Sequence, residues 1–150
     1  MPIPGDPSRR VRALGPIART LLEDGADESP TVARLLVAIG RSDLIVHVAT
    51  GFLSVPGRLD FACAKPGVRF LRITVNVPDA EPNLIASLAH ELQHAVEIGG
   101  APEVTCAATL ARYYRTHGQR ICADEFCTKA AQRVAGLVLF ELASGRKARR

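Results

Sequence analysis

No apolar run in this 150-residue chain is long enough to cross a bilayer. Its N-terminus, Met1-Pro2-Ile3-Pro4-Gly5-Asp6-Pro7, lacks the apolar stretch that a signal peptide carries. The chain as it stands is therefore expected to stay inside the cell, unless a leader lies outside it. Cysteine is scarce and unpatterned. The four residues, Cys63, Cys106, Cys122 and Cys127, form no CxxC pair, which argues against a disulfide-stapled scaffold and favours reduced thiols. No internal repeat is present. An excess of positive charge is also missing from most of the chain, despite a net charge of +4 and a pI of about 9.2. Arg9, Arg10 and Arg12 sit at one end, and Arg146, Lys147, Arg149 and Arg150 at the other. Residues 13–145 carry 12 basic against 14 acidic groups. A slightly acidic body with basic ends predicts no specific nucleic-acid partner.

The length accommodates one domain and a core that needs no disulfides. Residues 1–10, rich in proline, read as a flexible arm, residues 11–145 as a single domain and residues 146–150 as a basic tail. Val11 to Leu22 has helical spacing, carried by Leu14, Ile17, Ala18, Leu21 and Leu22 and broken at Gly15-Pro16, and Glu23 to Glu28 reads as a turn. Ser29 caps a second helix that Pro30 opens and Gly40 closes. The period then changes to two. Leu44–Ala49, Arg58–Ala64 and Phe70–Val77 read as strands, with Lys65-Pro66-Gly67 as a hairpin turn. Helical periodicity returns over Asn83–Ile98, from Pro102 to about His117, and from about Asp124 to Ala143. The expected class is α+β: a small, mostly antiparallel sheet of about three strands, packed on the helix over Asn83–Ile98, with further N- and C-terminal helices.

That helix contains His90-Glu91-Leu92-Gln93-His94. Two histidines four residues apart project from one helix face, one turn apart, and can share one zinc ion. Glu91 flanks that face, where its carboxylate can reach a zinc-bound water as general base rather than bind the metal. Ile85, Leu88, Leu92 and Val96 form an apolar stripe on the other side, so the helix can be anchored in a core and wet along its histidine face.

A sheet followed by a His-Glu-x-x-His helix resembles the zincin metallopeptidases. The chain is more closely similar to a family of short, poorly characterised bacterial proteins of metallopeptidase type. The similarity runs through Ser29-Pro30-Thr31, Ser42-Asp43-Leu44-Ile45-Val46, Leu71-Arg72-Ile73, the block Leu88 to Glu97, and Thr128 with Ala130-Ala131. It implies a minimal zincin fold, zinc on His90 and His94, Glu91 as catalytic base, and a peptide or unfolded protein as substrate. It also implies that a strand within Arg69–Val77 lies at the cleft rim, with Thr74 and Asn76 on its polar face.

A catalytic zinc site needs a third protein ligand and an open position. No histidine follows at the metzincin spacing, since position 100 is glycine. In the similar bacterial family an acidic ligand directly precedes Thr-x-Ala-Ala, and this chain has Cys127 there. Three readings follow. Cys127 ligates as thiolate; Glu125 or Asp124 ligates instead; or the site has degenerated and holds zinc weakly. The first gives a zinc metallopeptidase with a weaker Lewis acid, or a non-catalytic zinc module in which Cys127 replaces the acid. Glu97, seven residues after His90, is positioned to orient a ligand imidazole. One of Tyr113, Tyr114 and His117, on the intervening helix, could donate to a developing oxyanion, with Tyr114 the foremost candidate. His47, in an apolar strand, reads as structural.

Overall fold

The computed structural model describes residues 10–122 and 125–148, with residues 119–122 and 125–126 described through their backbone. Its elements are β1 (Val11–Ala13), α1 (Pro16–Glu28), α2 (Pro30–Gly40), β2 (Leu44–Gly51), β3 (Gly57–Lys65), β4 (Val68–Asn76), α3 (Glu81–Gly99), α4 (Ala107–His117), β5 (Gln119–Cys122), β6 (Glu125–Cys127) and α5 (Lys129–Ala148). The α+β class holds. Among the described residues no helix is long and apolar enough to cross a membrane.

The sheet differs from the expectation in size and sense. It has four strands in the order β1-β2-β4-β3. β1 and β4 flank β2 in parallel, and only the β3–β4 pair is antiparallel. The hairpin turn forms as expected, with Gly67 at a φ of 79° that a side chain would oppose. β4 nevertheless takes the central place, because Leu71, Ile73 and Val75 are fully buried. β3 ends in exposed Ala62, Cys63, Ala64 and Lys65 and suits an edge. The β2–β3 connection passes the end of β4, where the Leu53 N–H donates to the Asn76 side chain (2.8 Å) and the Asn76 N–H to the Pro56 carbonyl (2.9 Å). β1 is a strand where helical spacing was read. Three residues carry almost no periodic signal, and parallel pairing to β2 supplies the backbone partners that hold them.

Other boundaries move for local reasons. Residues 23–28, expected as a turn, complete α1, whose buried Gly25 lets it approach Val32 and Ile85 closely. Ser29 caps α2, accepting from the Val32 N–H at 3.2 Å, as its position predicts. Its hydroxyl and that of Thr31 also donate to Glu141, tying α2 to α5. α5 begins at Lys129 rather than near Asp124, because Thr128 caps it through the Ala131 N–H. The preceding residues form the two-stranded β5–β6 sheet. α5 runs on through Ala148, so Arg146, assigned to the tail, lies in its last turn and reaches Glu28 and Glu81.

Arg69 of β4 ties the end of α3 to the sheet. Its buried guanidinium donates to the carbonyls of Ile98, Ala101 and Val104 and forks onto both oxygens of Asp43 at 2.7 Å. Two of these carbonyls also close turns, accepting from the Ala101 N–H (2.9 Å) and the Val104 N–H (3.1 Å), so the chain after Gly99 is held as turns and α4 starts at Ala107 rather than at Pro102. The Asp43 carboxyl is held below its ordinary range, first by that hydrogen bond. Because its folded value is depressed, the pair's contribution is present above about pH 4 and is lost as pH falls through the folded value. Arg69→Met is expected to lower stability by about 3 kcal/mol at neutral pH. In urea melts the gap to the wild type should narrow below pH 4; a difference under 1 kcal/mol at pH 7 would contradict this role.

Candidate metal centre

α3 carries the centre. Ile85, Leu88, Leu92 and Ile98 are fully buried and fix the helix in the core. On the histidine face, His90 is partly buried, whereas Glu91 and His94 are buried. The His90 and His94 Nε2 atoms stand 3.2 Å apart, and the Cys127 Sγ lies 3.2 Å from His90 Nε2. The three donor atoms all lie within 4.8 Å of one another. Donors sharing a tetrahedral ion, with metal–nitrogen bonds near 2.0 Å and a metal–sulfur bond near 2.3 Å, stand about 3.3–3.6 Å apart. The two separations that involve His90, both 3.2 Å, are already close to that spacing, and the group can hold a metal ion.

Electrostatics fit the same picture. Two ring nitrogens this close attract only when one carries a proton. Burial, aided by the neighbouring His94 charge, pushes His90 down to about 4. Burial works in the same direction on His94, but it is outweighed by hydrogen bonding with Cys127 and Glu97 and by the negative charge of Glu91, which raise His94 to about 9. Glu97 is the partner that orients it. Its Oε1 lies 2.8 Å from His94 Nδ1 and accepts from the Tyr114 hydroxyl at 3.2 Å, while Oε2 accepts from Thr128 Oγ1 at 2.7 Å. Burial disfavours the Glu97 charge, yet the hydrogen bonds from His94 and Thr128 keep its carboxyl below the ordinary range.

The other candidates separate clearly. The Tyr114 hydroxyl is engaged by Glu97 and by the His94 carbonyl (3.3 Å), and its ring stands edge-on to His94. It braces the ligand helix, and burial drives its acidity far down. Tyr113 stacks on His117. His47 stacks on Phe70, on the sheet face away from the core. Asp124 lies outside the described residues, and Glu125 is described through its backbone alone, as the start of β6.

A cleft of about 1160 Å³ runs beside His90, Glu91 and His94. The segment from Ser54 to Leu59 lines it, as do Ala135 and Leu139 of α5. The strand at this cleft is β3. β4, expected at the rim, is flanked by β2 and β3 on its two sides, and Asn76 is engaged with the Leu53 N–H. Two residues of the site were not legible from spacing. Gly57 lies against Glu91, and Thr128 joins Glu97 to the α5 cap. A Thr ahead of a helical run is a capping signal, but nothing local points to Gly57.

Comparison with protein-family models, curated proteins and solved structures finds no match for this chain. The reading of the centre rests on its own geometry.

Metal uptake should follow pH in a defined direction. A ligand histidine must be neutral, and His94 holds its proton up to about 9. Apparent metal affinity should therefore rise about tenfold per pH unit from this proton alone, up to that value. Glu97→Gln should weaken affinity by about 10–100-fold, read by competition with a chromophoric chelator. Affinity independent of pH and of Glu97 would contradict the arrangement.

Proposed function

We propose that the protein is a zinc-dependent metallopeptidase, with His90, His94 and Cys127 as the zinc ligands and Glu91 as general base. The observation that carries this reading is the convergence of Cys127, from a distant part of the chain, on the two histidines of a His-Glu-x-x-His helix. Imidazole and thiolate are donors that zinc favours, and hard cations such as magnesium do not. When bound, zinc supplies a Lewis acid that polarises a carbonyl and brings the pKa of a water towards 7.

The chain's own residues supply the rest. With Nδ1 of His94 facing the Glu97 carboxylate, the proton belongs on Nδ1 and the Nε2 lone pair is directed to the metal. Tyr114 and Thr128 hold that carboxylate from two further elements. Glu91, buried beside the cleft, accepts a proton from the attacking water and returns it to the departing amine. The cleft borders an edge strand, which suits an extended, flexible peptide. Peptide and unfolded protein are the proposed substrates.

A second reading is favoured by Cys127 itself. A thiolate donates more charge than a carboxylate and leaves the ion a poorer Lewis acid. The same geometry then serves a non-catalytic zinc-binding module. Glu91→Gln separates the two. The variant should keep its zinc and lose hydrolysis of an unfolded casein-like substrate by about 10²–10⁴-fold. Equal hydrolysis by the wild type and Glu91→Gln would show that the activity does not arise here. No hydrolysis by zinc-loaded wild type would favour the module.

A further inference from the structure

Gly57 opens the edge strand β3 and pairs with Val75 of β4. Side chains at alternate positions of a strand share a face, so position 57 lies in line with Leu59 and Phe61, which pack against the core. It is the one place in that row without a side chain, and it lies against Glu91. A Cβ built on Gly57 would stand 3.1 Å from Glu91 Cγ, 3.2 Å from its Oε1 and 3.6 Å from its Cδ. The first two separations fall short of the ~3.5–4.0 Å at which carbon contacts are comfortable.

Backbone conformation does not account for the glycine. Among the described residues only Gly15 and Gly67 have positive φ, so an L-residue can adopt the Gly57 backbone. Glycine in a strand also sacrifices packing and β-propensity. Neither neighbour is free to retreat. Glu91 is rooted on α3 next to Leu92, which is fully buried, and β3 is anchored at its start through Pro56 and Asn76. The Glu91 side chain is therefore the part that would yield.

We infer that Gly57 is a positioning residue: the absence of a side chain there lets the Glu91 carboxylate stand beside the cleft, and any substituent displaces it. The inference rests on the reading of Glu91 as general base, and its consequence is that kcat, rather than substrate binding, depends on position 57.

Gly57→Ala tests this in the full-length, zinc-loaded protein. Zinc content should be unchanged, because His90, His94 and Cys127 are untouched. The value of kcat should fall about tenfold or more with KM within about twofold, since displacing a reacting group by a fraction of an ångström degrades its alignment. Two readouts are independent of turnover. A crystal structure of Gly57→Ala should show the Glu91 carboxylate moved from its wild-type position. In urea melts Gly57→Ala should lower the midpoint when Glu91 is present, and leave it unchanged or raise it in a Glu91→Ala background. An unmoved carboxylate, or the same midpoint change in both backgrounds, would overturn the inference. An inactive wild type in which the coupling persists would instead sink the base assignment, and with it the kinetic consequence. An active wild type without the coupling would sink the Gly57 inference alone.

Discussion

The carboxylate of Glu97 is the point on which the centre depends. It sits one turn beyond His94 on α3 and meets the His94 ring, the Tyr114 hydroxyl from α4 and the Thr128 hydroxyl at the start of α5. Withdrawing a carboxylate even partly from water is costly unless hydrogen bonds satisfy it, and here three donors from separate stretches of chain do so. The consequence is geometric. Thr128 follows Cys127 directly, so the bond that satisfies Glu97 also brings the thiol within reach of His90. Arg69 acts as the counterpart at the other end of the problem. By holding one carbonyl in the last turn of α3 and two in the turns that follow, it ties the path from α3 towards α4 to the sheet.

What could be read from the residues was local. The α3 helix, its histidine pair and apolar back, the Ser29 cap and the Lys65-Pro66-Gly67 hairpin all follow from short-range rules of period, capping and turn geometry. The parts that escaped depend on contacts between distant segments. The three residues of β1 gain their identity from a parallel partner more than thirty positions away. The insertion of β4 between β2 and β3 rests on its pairing with a strand from another part of the chain, which leaves Leu71, Ile73 and Val75 buried, and no hairpin signal reports that. The stretch before α5 carries a capping threonine but was read as helix, because periodicity alone does not distinguish a short strand pair from a helical turn. At the site, Glu97 was legible from its spacing on α3, whereas its bond to Thr128 was not. Tyr114 was legible as a nearby polar aromatic, but its role as a brace becomes visible only once its hydroxyl is seen on Glu97 and the His94 carbonyl.

Cys127 links the fold to the chemistry. It is among the most buried polar-capable side chains of the described residues, yet it does not pack as an ordinary core thiol, because its sulfur faces a ring nitrogen. A carboxylate at this place would bring a harder donor, with two oxygens, and leave more positive character on a bound ion. The thiolate trades Lewis acidity for affinity. That exchange makes the alignment of Glu91 correspondingly important for turnover, and the bare edge strand at Gly57 is the feature that leaves Glu91 its room.

The central claim is that one metal ion is shared by two imidazoles and one thiolate. X-ray absorption at the zinc edge, on protein loaded with a single equivalent, tests it most directly. The account predicts one sulfur scatterer at about 2.3 Å and two imidazole nitrogens at about 2.0–2.1 Å, with the sulfur contribution lost in Cys127→Ala. A spectrum with only nitrogen and oxygen scatterers, unchanged by Cys127→Ala, would contradict it.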